Sequence, residues 1–327
     1  MRTLPRFFIP LLLFTLAGCT QVSTPSPGAV TPQPATPLPT STDKPSPTMP
    51  VIPSLSPTAV VEMTAEVEWT VTPLPTSDPR PLPEDWQSWP VVPQVSPWLR
   101  ALYAEGLAAG NNPAAFSKVG DCQNVDSMFL SPFDSPPEYR LGSTYAGLQA
   151  AIDHFSGSWE RHSQAVRGGF NVASVFSPMM SDKKVCGKDE TPLDCEFRLN
   201  QPSIVIISME TWWSKRPAET YETYLRQIVE YVLAHKAVPI LATKADNLEG
   251  DWSINAAVAR VAYDYDVPLW NFWAAVQPLP GHGLTEDGFH LTVGATYLDD
   301  PALMKRAWPW RNLTALQSID AVWQAVR

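Results

Sequence analysis

Three side chains in this sequence could together perform acyl transfer. Cys122 follows Gly120-Asp121 at the end of a short apolar run, in "FSKVGDCQNVDSMF" (116–129). Asp287 precedes His290 by three residues in "LPGHGLTEDGFHLT" (279–292). Within a turn, that spacing lets the carboxylate accept from one imidazole nitrogen, and the other nitrogen can then take a proton from a nucleophile. A thiolate is a competent acyl acceptor once a neighbouring histidine lowers its pKa. An Asp-x-x-His pair alone is common by chance. It gains specificity from a Gly-Asp-nucleophile turn elsewhere in the chain.

For these groups to meet, the chain must bring residues 122 and 290 to one place. Apolar runs predict strands at 114–120, 168–176, 202–210, 237–243 and 267–273. The third is near-continuously apolar, as expected of a strand covered on both faces. Three- and four-residue spacing predicts helices at 143–155, 218–236, 253–265 and 312–326. Strands alternating with helices imply an α/β domain whose five-stranded, mostly parallel sheet is covered on both faces. Ligands of such sheets sit at the carboxyl ends of the strands. Gly120-Asp121-Cys122, Met209-Glu210-Thr211 and the loop carrying Asp287 and His290 all fall at that edge. Lys244 and Asp246, after the fourth strand, fall there too, with turn formation as their simpler role.

With those residues in place, the chain resembles the SGNH, or GDSL, hydrolase family over most of 114–295. "VGDC" resembles a first block that usually ends Gly-Asp-Ser, and "EDGFH" resembles the closing Asp-x-x-His block. "IISMET" stands where the family usually has Gly-x-Asn-Asp. The resemblance implies a flavodoxin-like three-layer α/β/α fold and hydrolysis of O-acyl esters, with Cys122 as nucleophile, His290 as base and Asp287 as orienting acid. An oxyanion-binding glycine is implied at Gly168 or Gly169, with the register open and Gly169 the assignment adopted. Asp121 and Trp212 complete the implied substrate-binding edge. Two departures stand out. Cys122 replaces serine, and Glu210 replaces the asparagine that would donate to the oxyanion. An ionised carboxylate has only acceptors, and loss of one oxyanion donor costs about 10²- to 10³-fold in rate. The residues therefore leave two functions open: an ester hydrolase, or a catalytically weak domain of the same fold that binds a glycan or other envelope component. Trp212 and Trp213, just past the third strand, could stack on sugar faces in the second case. A metal held jointly by Asp121, Glu210, Asp287 and His290 is a remoter alternative, and no metal or other cofactor is expected.

The rest of the chain describes where such a domain would work. Lys and Arg number 23 against 33 Asp and Glu, for a net charge of −10 over 327 residues. That balance excludes a nucleic-acid binder, which needs a basic face. Residues 1–19 carry a basic start, a short apolar run and "LAGC" ending at Cys19. The apolar core of roughly ten residues is too short to span a bilayer, which takes about 20, and reads as a secretory signal. "LAGC" resembles a bacterial lipoprotein cleavage box, which implies lipid on Cys19 and an extracytoplasmic, membrane-anchored protein. Residues 20–83 are rich in Pro, Thr and Ser and too poor in apolar groups to fold, so a disordered linker is expected. One domain, 84–327, remains, and it is expected to act as a monomer on a small-molecule or glycan ester, with the lipid anchor as its only membrane contact. Cys186 and Cys195 bracket a polar segment and read as a disulfide in an exported protein. Cys122 is then left over, either buried and inert or exposed and reactive.

Overall fold

The computed structural model describes residues 80–212 and 216–327. The signal segment with Cys19, the linker as far as residue 79, and Trp213 lie outside the described residues. From Arg80 onward the chain contacts the folded unit: Arg80 donates to the Tyr263 carbonyl at 2.8 Å and to Asp266 at 2.9 Å.

In chain order, the main elements are α1 (Trp98–Ala108), β1 (Asn112–Gly120), β2 (Tyr139–Arg140), α2 (Gln149–His154) and α3 (Pro192–Asn200). There follow β3 (Pro202–Ser208), α4 (Ala218–Ala234), β4 (Val238–Ala242), α5 (Ser253–Asp264) and β5 (Leu269–Trp270). The chain closes with α6 (Phe272–Val276), β6 (Thr296–Tyr297) and α7 (Ala307–Val326). The main sheet has the order β1-β3-β4-β5 and every pairing in it is parallel. β2 and β6 form a separate two-stranded parallel ribbon.

Three layers follow from the alternation of β3, which is buried throughout. Ile204 and Ile206 face a core shared with Phe116, Ile240, Trp270 and residues of α1, α2 and α7. Val205 and Ile207 face the opposite core, built with Val119, Leu241 and residues of α3, α4 and α5. Each core covers one face of the sheet, giving an α/β/α arrangement. No helix among the described residues is long and apolar enough to cross a membrane.

One expected strand is absent, so the main sheet has four strands among the described residues rather than five. Residues 168–176 form turns, with a 3-10 turn at Ser174–Phe176. Gly169 takes φ +85° there, a left-handed conformation that breaks extension. Asn171 then caps the Ala173 N–H with its own side chain at 2.9 Å. Phe170, Val172 and Val175 still reach the core, which is why the apolar spacing looked strand-like. Only a bridge from Val166 to Gly120 replaces the strand. The last predicted strand is likewise short, because the Asn271 side chain caps α6. A helix not expected from periodicity, α3, starts at a capping box in which Thr191 and Asp194 bond reciprocally, with Pro192 at its first position. Cys195 on that helix is joined by a disulfide to Cys186.

Candidate active site

Parallel register sets the first part of the site. Gly120 pairs with Ser208, so the chain leaves β1 and β3 side by side. Cys122 opens a single 3-10 turn, Cys122–Asn124, capped by Asp121. Asp121 is fully buried. Its carboxylate accepts the N–H groups of Gln123 (3.1 Å), Glu210 (2.7 Å) and Thr211 (2.6 Å), and so ties the two strand ends together. Its placement is structural, beneath the turn that carries the thiol.

Gly120 is there for space. A Cβ on it would lie 2.2 Å from Asn124 Nδ2. The Asn124 amide fills that volume and donates to the Ser208 carbonyl at 2.7 Å. Cys122 forms no disulfide and is partly exposed. A Cβ built on Gly168 would lie 3.8 Å from Cys122 Cβ, so the residue beside the thiol is Gly168, with Gly169 one further on. Neither glycine donates its N–H to another group among the described residues.

The loop after α6 brings Asp287 against His290. Thr285 N–H donates to the His290 carbonyl at 2.8 Å, and Leu284 bridges to Leu291, closing a tight loop. Inside it, Asp287 Oδ2 meets His290 Nδ1 at 2.5 Å. Asp287 Oδ1 accepts from the Thr285 hydroxyl (2.7 Å) and from the N–H groups of Phe289 (2.9 Å) and His290 (3.0 Å). The bond to His290, then that to Thr285, holds the Asp287 carboxyl well below the usual carboxylate range. With Nδ1 engaged, Nε2 is the imidazole nitrogen left for a reacting group. Both side chains are about half exposed, at 52% for His290 and 50% for Asp287. Gln123 Nε2 donates to the Phe289 carbonyl at 3.2 Å, linking the neighbours of Cys122 and His290.

Glu210 does not point into this opening. It is 2% exposed and meets Arg311 of α7 at 2.7 Å. Burial pushes its carboxyl up to about 7 despite the opposing pull of Arg311, and Asp121 and Asp246 push the same way. The carboxylate that stands in the asparagine position is thus turned inward, against a guanidinium. Lys244 and Asp246 are also buried rather than exposed at the edge. Lys244 bonds Asp246 at 2.7 Å and Glu249 at 2.5 Å. Burial opposes its charge, but those carboxylates keep its pKa raised. Trp212 is partly exposed and meets the Tyr221 ring edge-on at 5.7 Å. Asp121, Glu210, Asp287 and His290 do not converge as metal ligands. Among the described residues only Cys186, Glu190 and Cys195 bring three ligand atoms within 4.8 Å of one another, and the two cysteines are the disulfide pair.

Sequence reasoning missed Gln123, Asn124 and Arg311. For the first two no periodic signal exists. Arg311 carried one: it is the lone charge in "AWPWRNLTALQ" (307–317), and a charge inside an apolar helix calls for a buried partner.

No family model and no curated protein matches the chain. Among solved structures it is similar to a protein assigned to the SGNH hydrolases from Slackia heliotrinireducens, at 15% identity and a TM-score of 0.39, covering 62% of this chain and 97% of that one. It is similar to the psychrotrophic esterase EstA from Pseudoalteromonas sp., at 15% identity and a TM-score of 0.38, covering 63% and 97%. A third likeness is to TesA, at 17% identity and a TM-score of 0.35, covering 61% and 99%.

Proposed function

We propose that the protein is an ester hydrolase of SGNH type, with a shortened flavodoxin-like sheet, working as a monomer outside the cytoplasm while tethered by lipid on Cys19. Its substrate is a small-molecule or glycan O-acyl ester. The observation that carries this reading is the hydrogen bond from Gln123 to the Phe289 carbonyl. It brings the turn bearing Cys122 to the loop in which Asp287 already orients His290.

In this reading His290 Nε2 takes the proton from Cys122 Sγ, and the thiolate adds to the ester carbonyl carbon. The N–H groups of Gly168 and Gly169 supply donors for the resulting oxyanion. Collapse breaks the C–O bond, and the leaving alkoxide takes the proton from His290. A water deprotonated by His290 then adds to the thioester; the C–S bond breaks, and the acid is released as the thiol is restored. Asp287 stabilises the imidazolium at each stage. The purified protein should hydrolyse p-nitrophenyl acetate, and Cys122→Ala should lower the rate by about 10²-fold or more. Equal rates for the two proteins would sink the reading.

A second reading, a weakly active domain that binds glycans, is favoured by one observation. The N–H groups of Glu210 and Thr211 are both engaged by Asp121, so neither of these backbone donors is left for an oxyanion. Tryptophan fluorescence titrated with envelope polysaccharides, and its weakening in Trp212→Ala, would mark this alternative.

A further inference from the structure

The turn that carries Cys122 is gripped from below by a residue far away in sequence. Arg311 is fully buried, and its Nε donates to the Gln123 carbonyl at 3.2 Å. Its Nη2 donates to Asn124 Oδ1 at 3.3 Å and to Ser208 Oγ at 3.0 Å, besides meeting Glu210 at 2.7 Å. Gln123 and Asn124 belong to the Cys122 turn; Ser208 ends β3 and Glu210 lies two residues beyond it. One planar guanidinium therefore spans the two strand ends whose separation sets where the thiol sits. The cation is walled by aromatic rings, with Phe129 and Phe272 both 4.8 Å from ring centroid to guanidinium carbon and Trp270 at 5.4 Å. The fork cannot relax into water, so its direction is fixed by packing and by Glu210.

We propose that Arg311 is a positioning residue for the Cys122 nucleophile, and that the charge of Glu210 sets how firmly Arg311 holds the turn. The proposal rests on the reading of Cys122 as nucleophile and adds to it a part that touches no substrate. Glu210 is faced by Arg311 from α7, by Asp121 after β1, by Lys244 and Asp246 after β4, and by Tyr221 from α4. When Glu210 is ionised it opposes the guanidinium charge and anchors it; when protonated it leaves a neutral acceptor and a looser grip. Because burial pushes Glu210 to about 7, the change falls near neutral pH. Lysine cannot replace this residue: an ammonium is a point donor and cannot reach both the Gln123 carbonyl and Asn124 in one plane.

The test is the rate at which iodoacetamide alkylates Cys122 in the full-length protein, measured from about pH 5 to 9, with Cys122→Ala as blank. This readout needs no substrate and no turnover. The wild type should show an inflection near neutral pH beyond that of the thiol itself. Glu210→Gln, which keeps the shape and the acceptor, should lose it. Arg311→Lys should alkylate several-fold more slowly at about pH 8, where Glu210 is ionised and Arg311 holds the turn most firmly. An unchanged profile in folded Glu210→Gln overturns the coupling, and a wild-type rate in folded Arg311→Lys overturns the positioning. Where Arg311→Lys does not fold, Glu210→Gln alone decides the proposal. His290→Ala separates the two readings: if it leaves the wild-type profile intact, the triad fails, while a response to Glu210→Gln still supports the grip by Arg311.

Discussion

Two carboxylates at this edge each hold a basic side chain, and they do so in opposite ways. Asp287 and His290 lie three residues apart on one loop, half exposed, with the acid also accepting two backbone N–H groups and a hydroxyl. Glu210 and Arg311 come from β3's end and from α7, and both are sealed from solvent. The first pair is assembled by local chain geometry and is open to solvent. The second exists only once the whole fold has closed, and neither of its side chains reaches solvent. An exposed ion pair is worth little to stability. A buried one is costly to break, because removing one partner strands the other charge. The difference teaches that two superficially similar pairs of acid and base are built by different means, and under the proposed function it divides chemistry from scaffold.

That division can be broken or sharpened by substitution. The largest effect is expected for Asp287→Asn, where kcat for p-nitrophenyl acetate should fall by about 10³- to 10⁴-fold as the imidazole loses its tautomer and orientation. Thermal unfolding of the same variant should be nearly unchanged. Next, Arg311→Met should lower unfolding free energy by about 3–5 kcal/mol, read by urea titration, because Glu210 is left buried without its cation. If Arg311→Met costs no more than Asp287→Asn, the two pairs do not divide the work as described. A smaller effect is a pH dependence. The folded-state pKa of Glu210, about 7, lies above its unfolded value. Its contribution is therefore full below the unfolded pKa and is lost as pH rises through about 7. Wild-type stability should decline over that window relative to Glu210→Gln, and parallel curves would contradict the assignment. Smallest of all, Thr285→Val removes one of the four bonds to Asp287 and should change stability by only about 0.5 kcal/mol.

The same contrast explains what could be read beforehand. β3, β4, α4 and α5 were legible because each is long or apolar enough for its periodicity to dominate. The Asp287–His290 pair was legible because three residues of spacing already contain its geometry. Residues 168–176 misled because the short apolar run with Phe170, Val172 and Val175 looks like a strand while Gly169 and Asn171 turn the backbone. α3 was missed although its capping box, Thr191 to Asp194, is written in the chain. Glu210 was legible as the residue in the asparagine position, but its direction was not, because its partner Arg311 comes from α7, about a hundred residues further on.

The crowding at Gly120 carries a practical consequence for redesign. Because the Asn124 amide occupies the volume that any side chain at 120 would need, that site tolerates no diversity. Enlarging it would evict the amide from Ser208 and from Arg311 at one stroke. Serine has the shape of cysteine and a smaller heteroatom, so it could be installed at position 122, beside Gly168, without crowding its neighbours. An engineer seeking to exchange the sulfur for oxygen can therefore vary the third letter of Gly-Asp-Cys while treating the first as immovable.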